Sequence, residues 1–118
     1  MKEIEKKLKK LGLEDVEIKA IKKLYKELEK ILPGIEFKLF GSKVEGKGDE
    51  ESDLDILILT PQSPSPQIRK TIIYKIFEIN LEYETNISPL ILSQKEWKEG
   101  FISYLPIHFF IEKYGVKL

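Results

Sequence analysis

The sequence predicts an α/β (α+β) fold, a small mixed β-sheet flanked by helices, and three observations carry that expectation. Apolar residues recur at helical spacing through the first 32 residues, until Pro33-Gly34 breaks the pattern. Asp53 to Thr60 is nearly all branched aliphatics after two acids, as expected for a buried central strand. A proline-opened helical stretch then separates that strand from further strand-like residues.

The elements follow in order. Ile4, Leu8 and Leu11 predict a helix over 2–11 with Gly12 as its stop. Ile18, Ile21, Leu24, Leu28 and Ile31 share one face of a second helix over about 14–32. Ile35 to Phe40 reads as a strand, followed by a glycine-bearing loop from Gly41 to Ser52 and the strand 53–60. Pro61-Gln62-Ser63-Pro64-Ser65-Pro66 is a stiff loop whose last proline fits the first turn of a helix reaching about Ile79, with Asn80 as its cap. From Leu81 to Ile87 the chain alternates, with Leu81, Tyr83, Thr85 and Ile87 on one face and Glu82, Glu84 and Asn86 on the other, which predicts a strand. Pro89 places its end at an edge or a bulge. Ser93-Gln94-Lys95-Glu96 is a capping box opening a short helix with Trp97, and a last helix runs from Pro106 to Tyr114, ending at Gly115. The organisation expected is one domain over 1–118: N-terminal helices in 1–32, sheet and crossover helix in 35–92, C-terminal helices in 93–118.

Composition narrows the function. At 118 residues, 42% hydrophobic and 34% charged, the chain should fold as a soluble globule. Its longest apolar run, Ile56 to Leu59, is too short for a bilayer, and the charged N-terminus reads as an amphipathic helix rather than a secretory signal. A cytoplasmic protein without a membrane partner is expected. The absence of cysteine excludes disulfides and thiolate chemistry, and a lone His108, expected to be structural, excludes a multi-histidine zinc site. The chemistry left is that of carboxylates. Acids crowd between Glu45 and Asp55, which would repel a phosphate unless a cation sits among them. No basic stripe with interleaved aromatics exists, so general nucleic-acid binding is not expected. Usage rich in lysine, glutamate and isoleucine fits a thermophile source.

The informative residues are Leu39-Phe40-Gly41-Ser42-Lys43-Val44-Glu45-Gly46 and Ser52-Asp53-Leu54-Asp55-Ile56. A Gly-Ser turn leaving a strand exposes backbone amides and a hydroxyl, the equipment for holding a phosphate. Asp53 and Asp55, two apart on a strand, project from one face roughly 6.5–7 Å apart along the backbone. Oxygen-only ligands of this kind select magnesium or manganese over zinc. A phosphate cradle beside a metal-binding carboxylate pair is what nucleotidyl transfer requires. Gly41-x-x-x-x-Gly46-Lys47 imitates a P-loop but lacks the following Ser or Thr, and Asp49 to Asp55 lacks the EF-hand glycine.

Gly41-Ser42, ten residues, then Asp53-x-Asp55 resembles the signature of the DNA polymerase beta-type nucleotidyltransferase superfamily, and among its members the minimal nucleotidyltransferases (MNT proteins). The resemblance runs from Phe37 to the end and includes Pro106…Ile111-Glu112-Lys113-Tyr114-Gly115-Val116. It implies that Gly41 and Ser42 bind the nucleotide's phosphates with help from Lys43, and that Asp53 and Asp55 are catalytic and hold magnesium, two ions in all. Active members place a third acid on the following strand. Asn86 matches that position by its spacing to Ile87-Ser88-Pro89, as a metal ligand that cannot act as a base, and Glu84 is the alternative with a carboxylate. Where many relatives carry two arginines this chain has Lys43 and Glu45.

The function expected is magnesium-dependent transfer of a nucleotidyl group, AMP from ATP, to a hydroxyl. So short a chain leaves little for an acceptor domain, which points to another chain or to self-association. The resemblance implies a HEPN-type partner protein, with this chain as the MNT antitoxin of a toxin–antitoxin pair. The alternative is a catalytically weakened module that binds and masks its partner. Trp97, Phe101, Tyr104, Phe109 and Phe110 are expected to close the core or form that partner surface.

Overall fold

The computed structural model describes residues 2–46 and 52–118. Lys47, Gly48 and the acids Asp49, Glu50 and Glu51 of the expected acidic cluster lie outside the described residues. In chain order the elements are α1 (Lys2–Lys10), α2 (Asp15–Ile31), β1 (Glu36–Phe40), β2 (Leu54–Thr60), α3 (Pro66–Tyr83), β3 (Ile87–Ser93), α4 (Gln94–Glu99), a 3-10 turn (Phe101–Tyr104), α5 (Pro106–Tyr114) and β4 (Val116–Lys117). No helix among the described residues is long and apolar enough to cross a membrane.

The four strands form one mixed sheet in the order β3-β2-β1-β4. β1 runs antiparallel to β2 and to β4, and β2 runs parallel to β3. A parallel pair needs a crossover, and α3 supplies it. Helices cover both faces. Leu54, Ile56 and Ile58 of β2 join Phe37, Leu39, Ile87 and Ile91 in a core with Leu8, Ile21, Leu24, Leu28, Ile72, Ile76 and Ile79 of the first three helices. Leu57 and Leu59 point the other way and pack on Trp97 and Ile111 of the C-terminal helices. β2 is therefore buried on both faces, which accounts for its unbroken aliphatic run.

The C-terminal layer is tied to β1 by polar contacts. The Trp97 indole N–H donates to Glu112 at 2.5 Å, and the Lys38 ammonium donates to the same carboxylate oxygen at 3.1 Å. These bonds, the indole's foremost, hold the Glu112 carboxyl below its ordinary range. His108 packs on Trp97 with ring centroids 4.4 Å apart, a structural placement as expected.

One element differs from the sequence expectation. Residues 81–83 are not strand: α3 continues through Tyr83, and Glu84 caps it in the left-handed region at φ 55. Glu82 lies on that helix, where it accepts from Lys23 of α2 at 2.7 Å. Asn80 is not the cap but a bridge. Its Oδ1 accepts from the Thr85 hydroxyl and from the Ile87 N–H, both at 2.9 Å, and its Nδ2 donates to the Ile87 carbonyl at 3.1 Å. The side chain thus supplies the hydrogen bonds that reverse the chain into β3. Pro89 stands on β3 opposite Ile56, and β3 is the sheet's edge, where a missing N–H is tolerated.

Candidate active site

The site begins where β1 ends. Phe40 pairs with Asp55 across the antiparallel ladder, so the turn leaving β1 passes over the start of β2. Gly41 takes φ +87, and its carbonyl accepts from the N–H groups of Val44 and Glu45, both at 3.2 Å. A side chain at 41 would be strained by that φ and would also overlap Asp55, its Cβ standing inside contact distance of Oδ2 and 3.1 Å from the carboxyl carbon. Glycine at 41 therefore admits the Asp55 carboxylate. The two halves of the motif, twelve residues apart in sequence, meet at this point.

Asp53 lies immediately before β2 and Asp55 within it. Burial, and next the Asp53 charge, push the Asp55 carboxyl above its ordinary range. A carboxylate held against its preference for the charged form by a like neighbour would be relieved by a bound cation, and its oxygens suit a hard divalent ion. In this respect the Asp pair fits the expected metal. Among the described residues no group of three or more His, Cys, Asp or Glu could hold an ion. The residue facing Asp55 in the parallel register is Ser88, which stands where a third carboxylate on the neighbouring strand would meet the pair. Ser88 was not singled out from sequence, because the register follows from where β3 starts, and the alternation over 81–87 hid that start.

Glu84 and Asn86 are therefore not on a strand beside the Asp pair. Both are exposed on the turn between α3 and β3. The Asn86 carbonyl accepts from the Leu54 N–H at 2.9 Å, so the turn is fastened to the beginning of β2. Glu84 and Asn86 line a small polar cavity together with Ser52, Lys43 and the start of α2, at Glu14, Val16 and Glu17.

Lys43 is engaged in that cavity. Its ammonium lies 2.6 Å from Glu17 Oε2, and the two side chains are only 12% and 9% exposed. The other Glu17 oxygen accepts from the Glu14 N–H at 3.0 Å, closing the first turn of α2. The pair pins the Gly41–Gly46 turn to the helical layer opposite the sheet face that carries Asp55. Ser42 is half-buried in the same turn. Glu17, which sequence reasoning passed over as one more charge on a helix, is thus the anchor of the loop.

A glycine turn closed onto a carboxylate pair at the mouth of a small mixed sheet defines a nucleotidyltransferase. The chain belongs to the nucleotidyltransferase domain family, whose model matches residues 21–117, that is, everything from within α2 to β4. It is 39% identical over 80 residues to the "Putative protein adenylyltransferase MJ0141" of Methanocaldococcus jannaschii, a match covering 68% of this chain and 74% of the relative. The minimal nucleotidyltransferases are the branch these likenesses support, and the protein is a nucleotidyltransferase enzyme. No solved structure matches it.

Proposed function

We propose that the protein transfers AMP from ATP to a hydroxyl on a partner protein, in a magnesium-dependent reaction. The observation that supports this reading is the close approach of the Gly41 turn to Asp55, where any side chain at 41 would overlap the carboxylate, so that the two parts of the motif lie together. In this reading the N–H groups of the Gly41–Ser42 turn and the Ser42 hydroxyl hold the triphosphate. Asp53 and Asp55 hold the magnesium, with Ser88 facing them. When bound, the ion would offset the charge of the triphosphate and of the leaving pyrophosphate. The acceptor oxygen forms its bond to the α-phosphorus as the bond to pyrophosphate breaks, and its proton passes to a carboxylate. Asn86, displaced from the paired strand, lies with Ser52 on the rim of the cavity that holds Lys43. Lys43 assists through the turn it anchors.

A protein acceptor is favoured by the surface on the Asp55 side of the sheet. Phe101 and Tyr104 are 79% and 78% exposed, and Phe109 and Phe110 are also exposed, whereas Trp97 alone of the five expected core aromatics is buried. Such a patch fits a partner rather than water. The relative's printed name, a protein adenylyltransferase, supports the same substrate class. The partner proposed is a HEPN-type toxin, with this chain as its antitoxin. Incubating the two with ATP and magnesium should add one AMP to the partner by mass spectrometry, and the Asp53→Asn/Asp55→Asn variant should add none.

A second reading, masking without transfer, is favoured by one observation: Ser88, not an acid, faces Asp55. It predicts that the double variant neutralises the partner as well as the wild type does.

A further inference from the structure

α3 is apolar on both sides. Ile72, Ile76 and Ile79 are buried against the sheet, yet Ile73, Tyr74, Phe77 and Leu81, on the outward side, are 51% to 66% exposed. Ile73, Phe77 and Leu81 are spaced by four and make one continuous ridge, with Tyr74 beside it. This ridge belongs to the helical layer opposite the sheet face that carries Asp55, so it lies away from the aromatic patch proposed for the acceptor.

We infer that this ridge pairs with the same ridge of a second copy of the chain, the two α3 helices running antiparallel across a two-fold axis at Phe77. Three features point to a second copy. The ridge is symmetric about Phe77, since four residues before it stands Ile73 and four after it Leu81, so a copy related by a two-fold axis there offers the same apolar side chains in return. The ends are complementary in charge. Lys70 lies seven residues before Phe77 and Glu84 seven after, so the same axis brings each Lys70 toward the other copy's Glu84. The area is adequate as well. With large side chains carrying on the order of 200 Å² each, the four contribute about 450 Å² per copy. Doubling that and adding the flanking Gln67, Lys70 and Thr71 reaches the ~1,000 Å² that a specific interface needs.

The inference is independent of nucleotide chemistry, and its failure would leave the transfer reading untouched. The test is sedimentation equilibrium of the full chain over a wide dilution series, with circular dichroism to show that each variant is folded. The wild type should dimerise reversibly. Phe77→Asp, at an exposed position, should weaken the dimer about thirty-fold or more, as expected for a central aromatic anchor. Lys70→Glu and Glu84→Lys should each weaken it several-fold, and the two together should restore it. A wild type that stays monomeric throughout would overturn the inference and leave the ridge to a different protein. A dimer indifferent to Phe77→Asp, or a double charge variant no better than the single ones, would equally overturn it.

Discussion

Replacing Gly41 with alanine should cost the protein twice, and the two costs can be separated. The backbone at 41 sits at φ +87, where an L side chain is strained by about 1–2 kcal/mol. Gly46 has φ +74 with nothing among the described residues within 4 Å of an added Cβ, so Gly46→Ala is the control for backbone strain. At 41 the added methyl would also overlap Asp55 Oδ2, so the carboxylate must swing away. A displacement of about 1 Å in a catalytic group costs on the order of a hundred-fold in rate. Urea unfolding should show Gly41→Ala less stable than Gly46→Ala, and AMP transfer should fall about a hundred-fold in Gly41→Ala while Gly46→Ala stays near wild type. In an Asp55→Ala background the extra stability loss at 41 should vanish, because nothing then occupies the space. Equal stability of the two glycine variants, with transfer intact in both, would refute the contact.

Three further predictions concern the frame around that contact. The Asp55 carboxyl is pushed above its unfolded value by burial and by Asp53, so the native state binds more protons in the window between the two values and stability falls as pH rises through it. Metal-free Asp55→Asn should lack that loss and melt higher than the wild type at neutral pH, and an equal or lower melting temperature would contradict the assignment. Asn80→Ala removes three hydrogen bonds and leaves the Ile87 N–H unpaired, which should cost about 2–3 kcal/mol in urea unfolding. Asn80→Asp, which keeps the acceptor, should cost less. Glu17→Gln leaves the buried Lys43 ammonium without its counter-charge and should cost about 3 kcal/mol, whereas Glu17→Leu combined with Lys43→Leu should recover much of it, as a double-mutant cycle would show.

Most of the fold was legible because its signals are local. The breaks at Gly12 and Pro33-Gly34 end α1 and α2 as expected. The capping box forms as the sequence predicts, Glu96 N–H to Ser93 Oγ and Ser93 N–H to the Glu96 carboxylate, both at 3.0 Å. The run from Leu54 to Thr60 could only be a strand buried twice over. The exit from α3 was not legible. Seven alternating residues satisfy a strand pattern, but three of them extend a helix whose length is set by packing on α2, and the turn depends on Asn80 reaching Ile87. That misreading moved Glu84 and Asn86 onto a strand and hid Ser88. The close approach of the Asp55 carboxylate to Gly41 is a contact between strands that no local pattern announces. The pairing of Lys43 with Glu17, 26 residues apart, and the outward ridge of α3 are tertiary facts for which the sequence carries no local signal.

In the proposed site the Gly41–Ser42 turn and the Asp53–Asp55 pair act together on one nucleotide. Calorimetric titration of ATP, with and without magnesium, on the wild type and on Asp53→Asn/Asp55→Asn tests it most directly. Binding should depend on magnesium in the wild type and be lost in the double variant, with both proteins folded. Binding that ignores the metal and survives the substitution, or no binding at all to folded wild type, would contradict it.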